Sequence, residues 1–186
     1  LIYDKDYVKR LTHFYMRIDF HWNRDIKTRD VLFFRAEINN ENFWFIVNHW
    51  PSRRNGTKET EDKRIHVAKT VREQIDKIQI DYPLDKILIM GDFNDEPTNK
   101  SLMNILMAGN KLKNISTGDL YNLFYDKHNI QNEGTYNYRN NWNMLDHMIV
   151  SYNLINQKDR YSCNYDSGII IKEEFMIFLN EKKKRP

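Results

Sequence analysis

A carboxylate and a carboxamide two residues apart, Asp92 and Asn94, follow the apolar run Ile87–Met90 and Gly91. An apolar run of this length reads as a buried strand. Strand geometry of period two sends the side chains of Asp92 and Asn94 to one side and Phe93 to the other. A carboxylate attracts a cation or accepts a proton, and an amide donates and accepts without changing charge, so the pair can hold a metal ion or a water. Asp95-Glu96-Pro97 comes next, and a strand running into an ordinary Asp/Asn/Pro turn accounts for these residues equally well. Two further segments weigh against that plain reading. Phe43–Val47, aromatic and β-branched, runs through Asn48 into His49 and then into Pro51-Ser52-Arg53-Arg54. Asn143–Ser151 places Asp146 in another apolar strand context, next to His147.

The His49 ring can donate or accept a hydrogen bond, and guanidinium forks such as that of Arg53 match phosphate geometry. Arg54 reads equally well as a solvated surface cation. Tyr136, Tyr138, Arg139 and Trp142 interleave aromatics with a cation, which suits stacking on bases or sugars, although core packing explains part of the same pattern. Asp146 and His147 are adjacent, so a strand sends them to opposite faces and they cannot converge on one phosphate. His147 then reads as a strand residue on the far face. His13, His21, His66 and His128 show no ligand spacing.

These segments resemble the endonuclease/exonuclease/phosphatase superfamily, the deoxyribonuclease-I-like fold. Gly91-Asp92-Phe93-Asn94 matches its GDFN signature, Asn48–Arg53 matches an NHWPSR form common in bacterial members, and Leu145–Ser151 matches a late strand carrying an Asp. Gly134–Trp142 is similar to the family's substrate-side loop. The resemblance implies a Mg²⁺- (or Mn²⁺-) dependent phosphodiester hydrolase, with a nuclease the first expectation and nucleic acid the partner. In it Asp92 and Asn94 position the attacking water and His49 contacts the phosphate. Asp146 orients a catalytic His that has no counterpart in this chain, and Arg53, Tyr136 and Trp142 bind substrate. The main metal ligands implied by the family, a Glu and a terminal Asp, have no counterpart either, which leaves Asp92 and Asn94 as candidate second-site ligands. The sequence is therefore expected to be the central part of a longer enzyme, incomplete at both ends and inactive by itself. A phosphatase or phospholipid phosphodiesterase of the same fold is the alternative, as is a binding module that has lost catalysis, because the fold does not choose among chemistries.

The elements that must position these residues are legible in outline. Residues 31–38 and 43–49 read as a hairpin joined by Asn39-Asn40-Glu41-Asn42. A helix is predicted from Thr60 as its cap, with Glu61 and Asp62 in its first turn and Ala68, Val71, Ile75 and Ile78 as its apolar stripe. A second helix is predicted near Pro97-Thr98, burying Leu102, Ile105 and Leu106. Residues 110–133 read as irregular with a helical turn at 120–125, and strands are predicted near 134–138 and 145–150. The opening Leu1-Ile2-Tyr3 also looks like strand. The sum is an α/β protein, a two-sheet α/β sandwich flanked by helices, forming one domain over residues 1–186.

Composition sets the outer bounds. With 186 residues, 40% hydrophobic and 13% aromatic, the chain can build a real core. Its net charge of +3 is too small to imply a polyanion by itself. The single cysteine, Cys163, excludes an internal disulfide framework and fits a reducing compartment without excluding a secreted one. No apolar run approaches the ~20 residues that span a bilayer. The basic run Glu181–Arg185 reads as a solvated end.

Overall fold

The computed structural model describes residues 1–111, 116–155 and 161–173, so the Glu181–Arg185 run lies outside the described residues. Strands β1 (Lys9–Met16), β2 (Val31–Ile38), β3 (Glu41–His49), β4 (Lys86–Asp92), β5 (Ala108–Gly109), β6 (Leu120–Asn122) and β9 (Asp146–Ser151) form one seven-stranded sheet, ordered β1-β2-β3-β4-β9-β6-β5. A second, two-stranded sheet pairs β7 (Tyr136–Tyr138) with β8 (Asn141–Asn143). Helix α1 (Glu61–Asp81) is the long crossover between the parallel neighbours β3 and β4. The α/β class expected from sequence, with two sheets and flanking helices, is the one observed.

The β2–β3 hairpin closes tightly because Asn39 and Asn40 both adopt positive φ, 49° and 66°. That is the primed two-residue turn whose twist matches the strands, and Asn tolerates it well. The same geometry recurs at Arg139 and Asn140, φ 52° and 67°, which makes the expected strand near 134–138 one arm of a hairpin with β8.

Helix α1 buries Val67, Ala68, Val71, Ile75 and Ile78 against Trp44, Ile46, Ile87, Ile89 and Ile149 of the sheet. Thr60 precedes the helix but does not cap it with its side chain. Its hydroxyl instead donates to the Gly56 carbonyl at 2.6 Å and accepts from Arg64 Nη1 at 2.7 Å. The opposite face of the sheet carries a second cluster that includes Phe43, Tyr121, Phe124, Val150, Leu154 and Ile155.

Other elements depart from the sequence reading. The helix expected near Pro97 is a single π-helical turn, Ser101–Ile105, with Leu102 and Leu106 buried and Ile105 partly so. Residues 120–122 form strand β6, and the helical turn α2 starts only at Tyr125 and runs to Asn129. Leu120, Tyr121 and Asn122 are buried against β9, and that burial favours ladder pairing over a local turn. The opening Leu1–Tyr3 is outside any strand, and β1, one of the two edge strands of the large sheet, begins further on. Short α3 (Tyr152–Ile155) follows β9.

Candidate active site

Three strand ends meet in one row. In the parallel pairing of β3 with β4, His49 lies opposite Asp92, and in the antiparallel pairing of β4 with β9, Asp92 lies opposite Asp146. Residues directly opposite share a sheet face, so all three point away from the face that α1 covers. His49 Nε2 stands 3.7 Å from Asp92 Oδ2, with both side chains part-exposed. Asp92, Asn94 and Asp146 line a cavity of about 600 Å³ together with Ser52, Arg53, Arg54, Tyr136 and Tyr138. His49 stands beside it through its contact with Asp92. A larger cavity of about 740 Å³, lined by side chains from 17 to 30, contains none of these residues.

Gly91 is what lets β4 reach this point. Its φ is +130°, and a Cβ there would stand 2.0 Å from the Asn48 carbonyl oxygen, a contact with backbone that cannot swing aside. Asp92 and Asn94 do converge on the cavity, but not by strand alternation. The strand ends at Asp92, and Asn94 has φ 52°. The Asn94 N–H donates to Asp92 Oδ1 at 2.8 Å, closing an Asx turn. Asn94 Nδ2 donates to the Trp50 carbonyl at 3.0 Å, which leaves its side-chain oxygen as the group able to accept from a water. Burial, then the Asp146 carboxylate, push the Asp92 carboxyl above its ordinary value, against the opposing pull of the Asn94 N–H, His49 and Arg29.

Arg53 lines the cavity, yet its guanidinium is directed at the loop. Nε donates to the Asn94 carbonyl at 2.6 Å, and Nη2 donates to Asn99 Oδ1 at 2.9 Å and Asp95 Oδ1 at 3.3 Å. Tyr136 lines the cavity with Tyr138, their rings stacked at 6.4 Å. Trp142 does not line it: the ribbon register sets Trp142 across from Asn137, on the face opposite Tyr136 and Tyr138. Thr135 ties the ribbon to β9, its Oγ1 accepting from the N–H groups of Leu145 at 3.2 Å and Asp146 at 3.1 Å.

Behind the row lies a buried polar layer that reading for exposed chemistry missed. Asp95 is 1% exposed. Its carboxylate meets Arg64 Nε at 2.7 Å and accepts from Ser101 Oγ at 2.6 Å, besides its contact with Arg53. Arg64 is itself fully buried and also donates to the Thr57 carbonyl at 2.8 Å. A signal existed: Arg64 stands four residues before Ala68 on the apolar stripe of α1, where a charge needs a buried partner. His147 is on the far face, as adjacent-residue geometry requires, and it is 2% exposed. Burial lowers its pKa to about 4, so the ring is neutral at pH 7. Nε2 then donates to the Asp95 carbonyl at 2.9 Å, and Nδ1 accepts from Asn122 Nδ2 at 3.1 Å. The loop carrying Asp92 and Asn94 is thus held from α1, β6 and β9 at once.

Magnesium takes six oxygens in near-octahedral geometry, and proteins usually supply one or two carboxylates alongside substrate phosphate and water. Among the described residues, no group of three or more His, Cys, Asp and Glu side chains comes together to hold an ion. Asp92 and Asp146 are two carboxylates only, and Asn94 adds one amide oxygen. By themselves the described residues do not complete a magnesium site.

The sequence model described as "Endonuclease/Exonuclease/phosphatase family" matches residues 1–185. No curated protein matches the chain. Among solved structures, the human Nocturnin catalytic domain with bound sulfate is similar at TM-score 0.56, with 18% identity over 80% of this chain and 50% of that one. The mannosyl-6-phosphatase of Bacteroides thetaiotaomicron is similar at TM-score 0.59, with 18% identity over 81% of this chain and 55% of that one. Truncated Caenorhabditis elegans TDP2 is similar at TM-score 0.53, with 12% identity over 77% of this chain and 53% of that one. The chain spans about half the length of each of these structures.

Proposed function

We propose that this chain, which belongs to the endonuclease/exonuclease/phosphatase family, carries the water-positioning half of a phosphoester hydrolase whose substrate is a nucleic-acid phosphodiester. The observation that carries the reading is the row of His49, Asp92 and Asp146 across three adjacent strand ends at the mouth of a polar cavity. In the proposed step a water held between Asp92 and the Asn94 amide oxygen attacks phosphorus. Its proton passes to the Asp92 carboxylate as the bond from phosphorus to the leaving oxygen breaks. A carboxyl raised by burial is a better base than an exposed one, which suits Asp92 to that role. His49 donates to a phosphoryl oxygen. Asp146 serves as a positioning carboxylate for a catalytic His elsewhere in the enzyme. Arg53 acts through the loop it braces, and Tyr136 and Tyr138 offer a stacking face for a base.

Dependence on Mg²⁺ or Mn²⁺ belongs to this proposal as a property of the complete enzyme. The ion would neutralise phosphate charge there, with ligands beyond those described. A zebrafish TDP2 structure of this fold holds a single-strand DNA product, which favours a nucleic-acid strand as substrate. The mannosyl-6-phosphatase similarity favours a sugar monophosphate as the second reading.

The test is Asp92→Asn in the whole protein, assayed on a single-stranded oligonucleotide and on mannose 6-phosphate. Turnover of the true substrate should fall at least ~10²-fold, the scale of a lost general base, with KM little changed. Wild-type turnover in this variant would remove Asp92 from the mechanism, and cleavage of the sugar phosphate alone would select the second reading.

A further inference from the structure

A second cavity adjoins the first. It has a volume of about 220 Å³ and is lined by Lys27, Arg29, Arg54 and Lys63, together with Thr28, Ser52, Asn55 and Thr60 and no acidic residue. Ser52 and Arg54 line both cavities, so the two are neighbours. The four cations come from three separate places: the β1–β2 connection, the loop after β3, and the first turn of α1.

Their state differs from that of the other arginines near the site. Arg53 and Arg64 have their guanidinium groups committed to Asp95 and to backbone carbonyls. The side chains of Lys27, Arg29 and Arg54, all exposed, and of half-buried Lys63 make no ion pair or hydrogen bond among the described residues. The Thr28 hydroxyl oxygen is also buried without a hydrogen-bond partner among them. Water screens the mutual repulsion of these exposed cations, yet their summed positive potential and unengaged donors favour an anion in the space between them. The field of this cluster also reaches the catalytic row, since Arg29 acts electrostatically on Asp92.

We infer that Lys27, Arg29, Arg54 and Lys63 form a subsite for a second phosphate group of the substrate, next to the phosphate that is cleaved. The inference rests on the hydrolase reading above and deepens it. A substrate with one phosphate fills only the catalytic cavity, whereas one with two places its second phosphate among the cations. Lysine and arginine both serve, since anionic phosphate oxygens need charge and donors rather than one fixed fork. The second phosphate could belong to the neighbouring nucleotide of a strand or to a small bisphosphate, and the chemistry at the subsite is the same.

The experiment compares matched substrates in the whole protein: the thymidine dinucleotide with and without a 5′-phosphate, and glucose 1,6-bisphosphate against glucose 6-phosphate. For wild type, kcat/KM should be at least tenfold higher for the two-phosphate member of the pair that represents the true substrate. In the K27Q/K63Q variant that ratio should collapse at least tenfold, and K27R/K63R should restore it. The pair that responds identifies the source of the second phosphate. If cleavage persists but neither ratio changes, the subsite is overturned and the hydrolase reading stands. If no ester is cleaved, the hydrolase reading fails, and calorimetric titration with inorganic pyrophosphate decides the subsite alone. Binding weakened at least tenfold in K27Q/K63Q and recovered in K27R/K63R supports it, and equal binding by all three proteins overturns it.

Discussion

Replacing Arg64 with Met strips the loop of its buried cation while keeping apolar volume on α1. Asp95, at 1% exposure, loses the contact at 2.7 Å and keeps Ser101 at 2.6 Å and Arg53 at 3.3 Å. The Thr60 hydroxyl and the Thr57 carbonyl each lose a donor as well. Removing one partner of a buried pair costs about 3–5 kcal/mol, because a charge is left stranded in low dielectric. The two surviving Asp95 contacts favour the lower end, near ~3 kcal/mol, which for a domain of this size lowers Tm by roughly 6–12 °C. Thermal melts by circular dichroism on the whole protein measure this. Pairing the change with Asp95→Asn removes the stranded charge, so R64M/D95N should be less destabilised than the sum of the single variants, with a coupling of about 1–3 kcal/mol. A Tm within ~2 °C of wild type for R64M, or additivity within about 0.5 kcal/mol, would refute the buried-pair argument.

Gly91→Ala should destabilise by at least about 2 kcal/mol and lower turnover as well, since the strain at positive φ adds to the clash with the Asn48 carbonyl just before Asp92; melting and kinetics read the two effects. The His147 ring is held neutral down to about pH 4, whereas an unfolded chain protonates it near its ordinary value of 6.5. Its contribution to stability is therefore fully present above pH 6.5 and is lost as pH falls toward 4, by up to about 1.4 kcal/mol per pH unit. Urea melts across that range should show this slope in wild type and a shallower one in His147→Gln; equal slopes would dismiss the ring's role. Tyr136→Ala should raise KM for a single-stranded oligonucleotide about tenfold, the scale of one lost base stack, with Trp142→Ala much weaker because that ring is on the other face of the ribbon.

Much of the molecule is readable without coordinates wherever a local rule suffices. The apolar stripe of α1, the β2–β3 hairpin around Asn39-Asn40 and the apolar run of β4 depend on neighbours within a few residues, and each formed where its pattern stands. The opposition of Asp146 to His147 likewise follows from strand alternation alone.

Partner choice was not readable in this way. Strand alternation aimed Asn94 correctly at the cavity for the wrong local reason, because period two ends with the strand and the Asx turn takes over. Arg53 carries the same guanidinium whether it binds phosphate or braces a loop, and only the position of Asn94, Asp95 and Asn99 in space directs it to the loop. The alignment of His49, Asp92 and Asp146 depends on the register of strands far apart in sequence, and that register is set by packing along their whole lengths. The class of fold, the longest elements and the residue types available for chemistry are legible in the chain, because backbone sterics and burial periodicity act locally. Which of those side chains face the cavity and which hold the loop from behind is a matter of long-range packing, because a donor or a charge takes its partner from whatever the fold sets within about 3 Å of it.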